Sequence, residues 1–259
     1  MPTPLLRLYF WRHRLLMLGP GFDAGLHRHH AAQVCFGLHG VLRLRADPDG
    51  QWAQSEGFYV PPDAPHEFAA SATSTAILYI EAESAEFATL RWSIKEPVGV
   101  ARVSATARSL ADLRRLADKG GTLDEANAVC LSLLGLPAPA AQRPAFDPRI
   151  VQCLSAIGAR LDQPLRLAAL ASGLSVSESW LTHRFTKEVG LPIRRYVLWQ
   201  RLRRAVELAL KGAMLTDAAH AAGMSDSAHL SRTFREMFGV APSFLFEHRD
   251  QLAVKFEET

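Results

Sequence analysis

Two stretches of this chain, 49 residues apart, are versions of one another. The first reads Ser177-Glu-Ser-Trp-Leu181-Thr-His-Arg-Phe185 and then Gly190; the second reads Asp226-Ser-Ala-His-Leu230-Ser-Arg-Thr-Phe234 and then Gly239. Leu181/Phe185 and Leu230/Phe234 stand four apart, so each pair covers one side of a helix and leaves the other open. Ahead of each lies a small-residue helix, Leu167-Ala-Ala-Leu-Ala171 in one copy and Thr216-Asp-Ala-Ala-His-Ala-Ala222 in the other. The joints run through Ser175-Val176 and Gly223-Met224. A helix, a tight turn and a second helix with a free face make a helix-turn-helix, here present twice.

With Leu181 and Phe185 turned to a core, steps of about 100° per residue put Ser179, His183 and Thr186 on the opposite face, flanked by Thr182 and Lys187. In the second copy the same arithmetic exposes Ala228, Arg232 and Arg235, with Ser231 and His229 at the edges. A lone helix of this kind usually has a merely solvated face. The tight turn and Ala-rich partner helix, found twice, favour a groove-reading face instead. Arg232 can fork onto guanine O6 and N7, and His183 can donate one hydrogen bond to a purine edge. The short hydroxyls of Ser179, Thr182, Ser227 and Ser231 suit phosphates or base edges. Trp180 is expected to pack beside the turn.

Between the copies, Pro192 to Lys211 reads as one long helix with Val197, Leu198, Leu202, Ala205, Leu208 and Ala209 on its apolar side. About 18 residues span roughly 27 Å, a little under one DNA turn of about 34 Å. One rigid monomer can therefore set both reading helices in successive major grooves, with bending of the duplex if needed. Charge agrees with this. The formal net charge is only +3, but residues 1–146 hold 14 Lys/Arg against 14 Asp/Glu, whereas residues 147–249 hold 14 against 9. Basicity is confined to the half with the repeat, where phosphates would be neutralised.

The segment 147–249 resembles the DNA-binding domain of the AraC/XylS family of bacterial transcription regulators. The residues that carry the resemblance include Leu170-Ala171, Ser177, Leu181, Phe185, Gly190, Tyr196, Arg201-Leu202, Ala205, Ala218-Ala219, Gly223, Leu230-Ser-Arg-Thr-Phe234 and Phe238-Gly-Val-Ala-Pro242. The resemblance implies base reading by Ser179, Thr182 and His183 and by Ser227, His229, Ser231 and Arg232; Lys187 and Arg235 complete the expected DNA-contacting set. It also implies promoter DNA and RNA polymerase as partners. Ser175 departs from the family, since this corner more often carries Gly, and a strained backbone is expected there.

Residues 1–95 read instead as short strands punctuated by turns such as Asp47-Pro-Asp-Gly50 and Pro61-Pro-Asp-Ala-Pro65, favouring a barrel or sandwich. Gly21, His27, His29, Gln33 and Gly40 fit the spacing Gly-x5-His-x-His-x3-Glu-x6-Gly, with Gln33 in the Glu place. This resembles the first metal motif of the cupin barrels. Pro61-Pro-Asp-Ala-Pro-His66 resembles the second, with Asp63 where Gly is usual. Positions 27, 29 and 33 share parity and would face one way on a single extended strand. His66 would join them from a neighbouring strand. Imidazole and carbonyl ligands would suit Zn, Fe, Ni or Cu. A metal-free small-molecule pocket and a packing role are the other readings of these four residues. His30 offers an alternative register; His13 and His39 are expected to be packing or surface residues.

From about residue 104 the period turns helical. Leu110, Leu113 and Leu116-Ala117 form a stripe, and Thr122 can cap a second helix towards Leu136. Residues 104–136 are expected to serve dimerisation or to pack on the barrel's outer wall. Pro137 to Pro144 makes residues 137–146 the expected linker. Asp147-Pro148 then places an N-cap and a Pro at N1 ahead of a helix to about Leu161. Helix is expected to continue to about Phe246.

The fold class expected is therefore α+β and multidomain: a cupin-like sensor barrel (1–95), a helical region, and an all-α double helix-turn-helix domain. The function expected is DNA-binding transcription regulation controlled by a small molecule or metal in the barrel, by a homodimer or monomer, and not enzymatic. A metal-dependent cupin enzyme fused to a DNA-binding module and an effector-independent DNA binder are the alternatives. No apolar run approaches the roughly 18 residues of a membrane span. Three scattered cysteines, Cys35, Cys130 and Cys153, suit a reducing cytoplasm, with the protein at the nucleoid. The second copy, with Arg232, is expected to dominate base readout, and the first to position.

Overall fold

The computed structural model describes residues 6–84, 86–88, 90, 99–135, 146–247 and 249–257. The end of the expected helix at Leu136 and all of the expected linker 137–146 except Phe146 lie outside them. The chain divides into two compact units, 1–142 together with 236–259, and 143–235.

The first unit is built on two sheets. The larger has seven strands in the order β10-β7-β4-β9-β2-β1-β11: β1 (Leu6–Trp11), β2 (Arg14–Pro20), β4 (Ala32–Gly37), β7 (Gly57–Val60), β9 (Ser74–Ile80), β10 (Ala101–Arg102) and β11 (Leu252–Phe256). The smaller holds β3 (Asp23–His27), β8 (His66–Ala69), β5 (Leu42–Arg45) and β6 (Ala53–Ser55), in that order. Backbone pairing is thus divided between two sheets. All pairs are antiparallel except β1 with β11.

The larger sheet is covered on both faces, which is why β4 and β7 are buried at every position. On one face Leu16, Leu18, Val34, Phe36, Ala76, Leu78 and Ile80 meet α1 (Ala107–Lys119) and α2 (Leu123–Leu134) through Leu113, Leu116, Ala126, Val129, Cys130 and Leu134. The stripe at Leu113 and Leu116 is therefore spent on the sheet. Thr106 caps α1, accepting from Ser109 N, and Thr122 with Glu125 forms a reciprocal capping box on α2. Arg7 on β1 donates to the carbonyls of Ala117 and Asp118, satisfying the open end of α1.

Strand β11 lies outside the sequence expectation, which had helix to about Phe246 and nothing after it. Leu252-Ala-Val-Lys-Phe256 lies along β1 with Leu6 opposite Leu252 and Phe10 opposite Phe256. The Phe10 and Phe256 rings stack at 5.1 Å. A parallel partner needs a long crossover, and here nearly the whole chain supplies it.

The second unit is helical: α3 (Pro148–Gly158), α4 (Leu167–Gly173), α5 (Glu178–Val189), α6 (Ile193–Leu210), α7 (Leu215–Ala221) and α8 (Ser227–Phe238), whose last residues belong to the first unit. Asp147 caps α3 with Pro148 at N1, but α3 ends at Gly158, three residues short of the expected Leu161. Helix α9 (Ser243–Phe246) follows in the first unit.

Candidate DNA-reading helices and a buried histidine cluster

Helices α4 and α5 form the first helix-turn-helix. Leu170, Ala171, Leu181, Phe185 and Val189 bury against Ile150, Cys153 and Ile157 of α3, and Phe185 meets Tyr196 edge-on at 5.4 Å. The chain turns at Ser175, φ +54°, and Val176 N donates to Ala171 O at 3.1 Å. Ser177 then caps α5. The second unit repeats this: Gly223 stands at φ +77°, Met224 N donates to Ala219 O at 2.9 Å, and Asp226 accepts from His229 N. The corner residues are 48 apart but the caps are 49 apart, so the second turn is one residue longer. Ser225 is the added residue, and its hydroxyl contacts both Asp226 and His229.

The expected DNA-contacting residues are not equally free. Ser179, Thr182, His183, Lys187, Arg232 and Arg235 are exposed, while Ser227, His229 and Ser231 are half-buried. Thr182 donates its hydroxyl to Glu178 O, and Ser231 donates to Ser227 O, each at 2.8 Å. Both hydroxyls thus turn lone pairs, rather than protons, outward. His229 Nδ1 lies 3.2 Å from Ser225 Oγ, which ties it to the helix start. Trp180 lies under the Arg149 guanidinium, 4.0 Å from the ring centre. Arg201, one of the basic residues of α6, is committed inward: it donates to Leu161 O and Gln163 O at 2.9 and 2.8 Å.

The other cluster lies in the first unit. His27 closes β3, directly opposite His66 on β8, and a register shift between Ala24 and His27 marks a bulge. His29 is not on a strand with its neighbours. The chain leaves the smaller sheet after His27, turns through residues 28–31, and enters the larger sheet at Ala32, so parity along one extended strand does not hold. The turn brings His29 and Gln33 to the same place by a different route. Asp63, at φ +61° where the motif more often has Gly, donates its backbone N–H to His29 O at 2.8 Å.

His27, His29 and His66 are all buried, and one ring nitrogen of each lies within 4.8 Å of the others. Ring centres are 4.1 Å apart for His27–His66 and 5.2 Å for His29–His66. The Nδ1 atoms lie against carbonyls two residues away: Gly25 O at 2.7 Å, Ala31 O at 2.7 Å and Ala64 O at 3.0 Å. Burial, with His29 adding to it, pushes His27 down to about 4. Burial also lowers His29, and it lowers His66 well below the usual range with help from His27 and His29. All three rings are therefore neutral near pH 7. A neutral ring that donates from Nδ1 carries a bare lone pair on Nε2. His66 Nε2 is buried with no hydrogen-bond partner, and His29 Nε2 lies 3.0 Å from the Gln33 carboxamide.

Around this centre stand residues that the sequence reading did not assign to it. Tyr79 meets His29 edge-on at 5.1 Å, and Phe238 lies 6.4 Å from His29 and 5.9 Å from Tyr79. Gly239 O accepts from Gly25 N at 3.2 Å. His30 points into a second buried group, with Nε2 3.3 Å from Glu83 and Nδ1 3.9 Å from Asp63. His13 pairs with Glu81 at 2.9 Å, and His39 is exposed.

Comparison with known proteins agrees with the helical geometry. The family described as "Helix-turn-helix domain" matches residues 170–248. The chain is 31% identical over 104 residues to the uncharacterized HTH-type transcriptional regulator YidL of Escherichia coli, which is 40% of this chain and 35% of that one. It is 31% identical over 97 residues to the HTH-type transcriptional regulator GbdR of Pseudomonas aeruginosa, 37% of this chain and 26% of that one. The matched stretch thus spans about a third or less of these relatives' length. Among solved structures, ToxT from Vibrio cholerae O395 is similar with a TM-score of 0.60 at 10% identity, over 91% of this chain and 96% of that chain. Unsaturated fatty acid bound ToxT from strain SCE256 gives 0.55 at 13% identity, over 100% and 99%. The likeness shows a shared fold: a mixed-sheet N-terminal part followed by helices and a helical C-terminal domain.

Proposed function

With a helix-turn-helix domain of the AraC type at residues 170–248 as premise, we propose that the chain is a sequence-specific DNA-binding transcription regulator. Its activity is set by an effector, a small molecule or metal, held among His27, His29, Gln33 and His66. The observation that carries this reading is the pairing of two helix-turn-helix units on one helix, α6, of 18 residues. Such a spacer is about 27 Å long, a little under one DNA turn of about 34 Å, which suits two reading helices in successive major grooves.

Within the reading helices, the exposed Arg232 and His183 take the role of base readers, with Arg235 and Lys187 at phosphates. Ser179 and Ser227 stand at the helix starts, where backbone contacts to phosphate are favoured. Thr182 and Ser231 accept rather than donate, and His229 orients the second helix start. Residues 1–95 act as the sensor, 104–136 as a packing or dimerisation region, 137–146 as a linker and 147–249 as the DNA-binding domain. Promoter DNA and RNA polymerase are the partners, and the protein acts at the nucleoid in the cytoplasm. No helix among the described residues is long and apolar enough to cross a membrane. ToxT, whose fold is shared, is described as bound to an unsaturated fatty acid. That description supports an effector in the N-terminal unit here.

Selection of bound duplexes from a random pool, followed by a salt titration on the enriched sequence, tests the proposal. The expected result is a defined sequence and an affinity that falls steeply with salt. A pool with no enriched sequence overturns it.

A further inference from the structure

We propose that the segment from Glu236 to Phe256 is a latch over a divalent transition-metal site formed by His27, His29 and His66, so that metal binding and seating of the end of α8 stabilise each other. This deepens the effector reading above and depends on it only for the consequence at DNA.

The metal arm rests on the donor set. Three buried rings converge, each with Nδ1 against a backbone carbonyl. Such carbonyls fix the tautomer and aim Nε2, as the outer partners of metal-bound histidines do. The three rings bring one nitrogen each within 4.8 Å of the others, and the buried His66 Nε2 has no hydrogen-bond partner. A borderline-soft cation satisfies all three at once, with the Gln33 carboxamide or a water able to fill a fourth position.

The latch arm rests on Gly25. Its carbonyl faces the His27 ring at 2.7 Å, and its N–H donates to Gly239 O at 3.2 Å. One peptide neighbourhood therefore holds a ligand ring on one side and the residue just after α8 on the other. The approach is close: a Cβ on Gly239 would stand 2.5 Å from Gly25 O and 2.7 Å from His27 Nδ1. Phe238 lies over His29 and Tyr79, Phe244 packs on Phe22 at 4.6 Å, and β11 fastens the remainder to β1. A ligand that fixes His27 also fixes the seat of Gly239, and the coupling is reciprocal.

The test uses the full chain, stripped with chelator and then titrated with Co²⁺ alone. Visible absorption and elemental analysis are expected to show one equivalent bound. His66→Gln and His27→Ala, folded by circular dichroism, are expected to lose at least a hundredfold in Co²⁺ affinity. Hydrogen exchange at 236–257 is expected to slow at least tenfold on Co²⁺ addition. Gly239→Ala and, as a second variant, Phe238→Ala are expected to bind Co²⁺ at least tenfold more weakly. Wild-type protein that binds no stoichiometric Co²⁺, or His66→Gln that binds it equally, overturns the site. Exchange at 236–257 unchanged by Co²⁺, or wild-type affinity in both latch variants, overturns the latch. None of these readouts involves DNA, so a failure of the regulator reading is seen separately.

Discussion

Ser175 and Gly223 occupy the same left-handed corner of two successive helix-turn-helix units, at φ +54° and +77°. Only the second corner is crowded: a Cβ on Gly223 would stand 2.1 Å from Leu161 O and 3.0 Å from the Arg201 guanidinium. Substitutions at the two sites are therefore expected to have opposite signs. Ser175→Gly relieves side-chain strain and is expected to stabilise by up to about 1 kcal/mol. Gly223→Ala combines strain with overpacking and is expected to cost about 2–4 kcal/mol. Urea unfolding of the two variants checks this, and equal shifts of one sign would refute it.

Arg232 and His183 stand at matching positions of α8 and α5, both exposed. Arg232→Ala is expected to cost about 1–3 kcal/mol of DNA binding and to relax preference at one base pair. His183→Ala is expected to cost less, because a single hydrogen bond replaces a bidentate fork. Binding measured on a set of single-base operator variants separates the two. A larger loss of specificity in His183→Ala reverses the ranking of the two units.

Leu113 is fully buried against the larger sheet. Leu113→Ala is expected to lower folding stability by about 2–5 kcal/mol. Thermal melts with size-exclusion chromatography check this. An unchanged melting point with a loss of oligomer would place Leu113 on a subunit interface instead.

The buried histidines give the metal-free protein two pH limbs. His27 is held near 4, below its unfolded value of about 6.5. Between those values the unfolded chain binds more protons, so stability rises with pH across this window; His29 and His66, lowered in the same direction, add to it. His30 behaves oppositely. Burial opposes its charge, but Asp63 and Glu83 outweigh that and raise it to about 9. Its contribution is complete below about 6.5 and is lost as pH rises through 9. Urea midpoints in chelator are expected to peak near neutrality, and His30→Gln is expected to flatten the alkaline limb. A flat profile from pH 5 to 9 would contradict both assignments.

Much of the second unit was legible because its determinants are local. Leu181/Phe185, Leu230/Phe234, the caps Ser177 and Asp147, and the strained Ser175 corner are all readable within one or two helical turns. The extra residue Ser225 was also within reach, had the corners and the caps been aligned separately. The inward commitment of Arg201 was not, since its acceptors, Leu161 and Gln163, lie about forty residues away. In the first unit the sequence brought His27, His29 and His66 together: His66 does arrive from the strand beside His27, but parity along one strand fails for His29, because the turn at residues 28–31 replaces a continuous strand.

The sequence by itself determined the duplicated helix-turn-helix, the confinement of basic charge to that half, and the set of histidines that could share one place. Periodicity and spacing record these directly, since each depends on neighbours in the chain. Only the tertiary structure decided that His27, His29 and His66 each bring a ring nitrogen to one buried centre. Only it brought Phe238 and Gly239 to His29 and Gly25, more than two hundred residues earlier, and laid β11 along β1. Pairing at that distance leaves no periodic trace, because a short strand or a single close-fitting glycine is specified by the partner surface it meets.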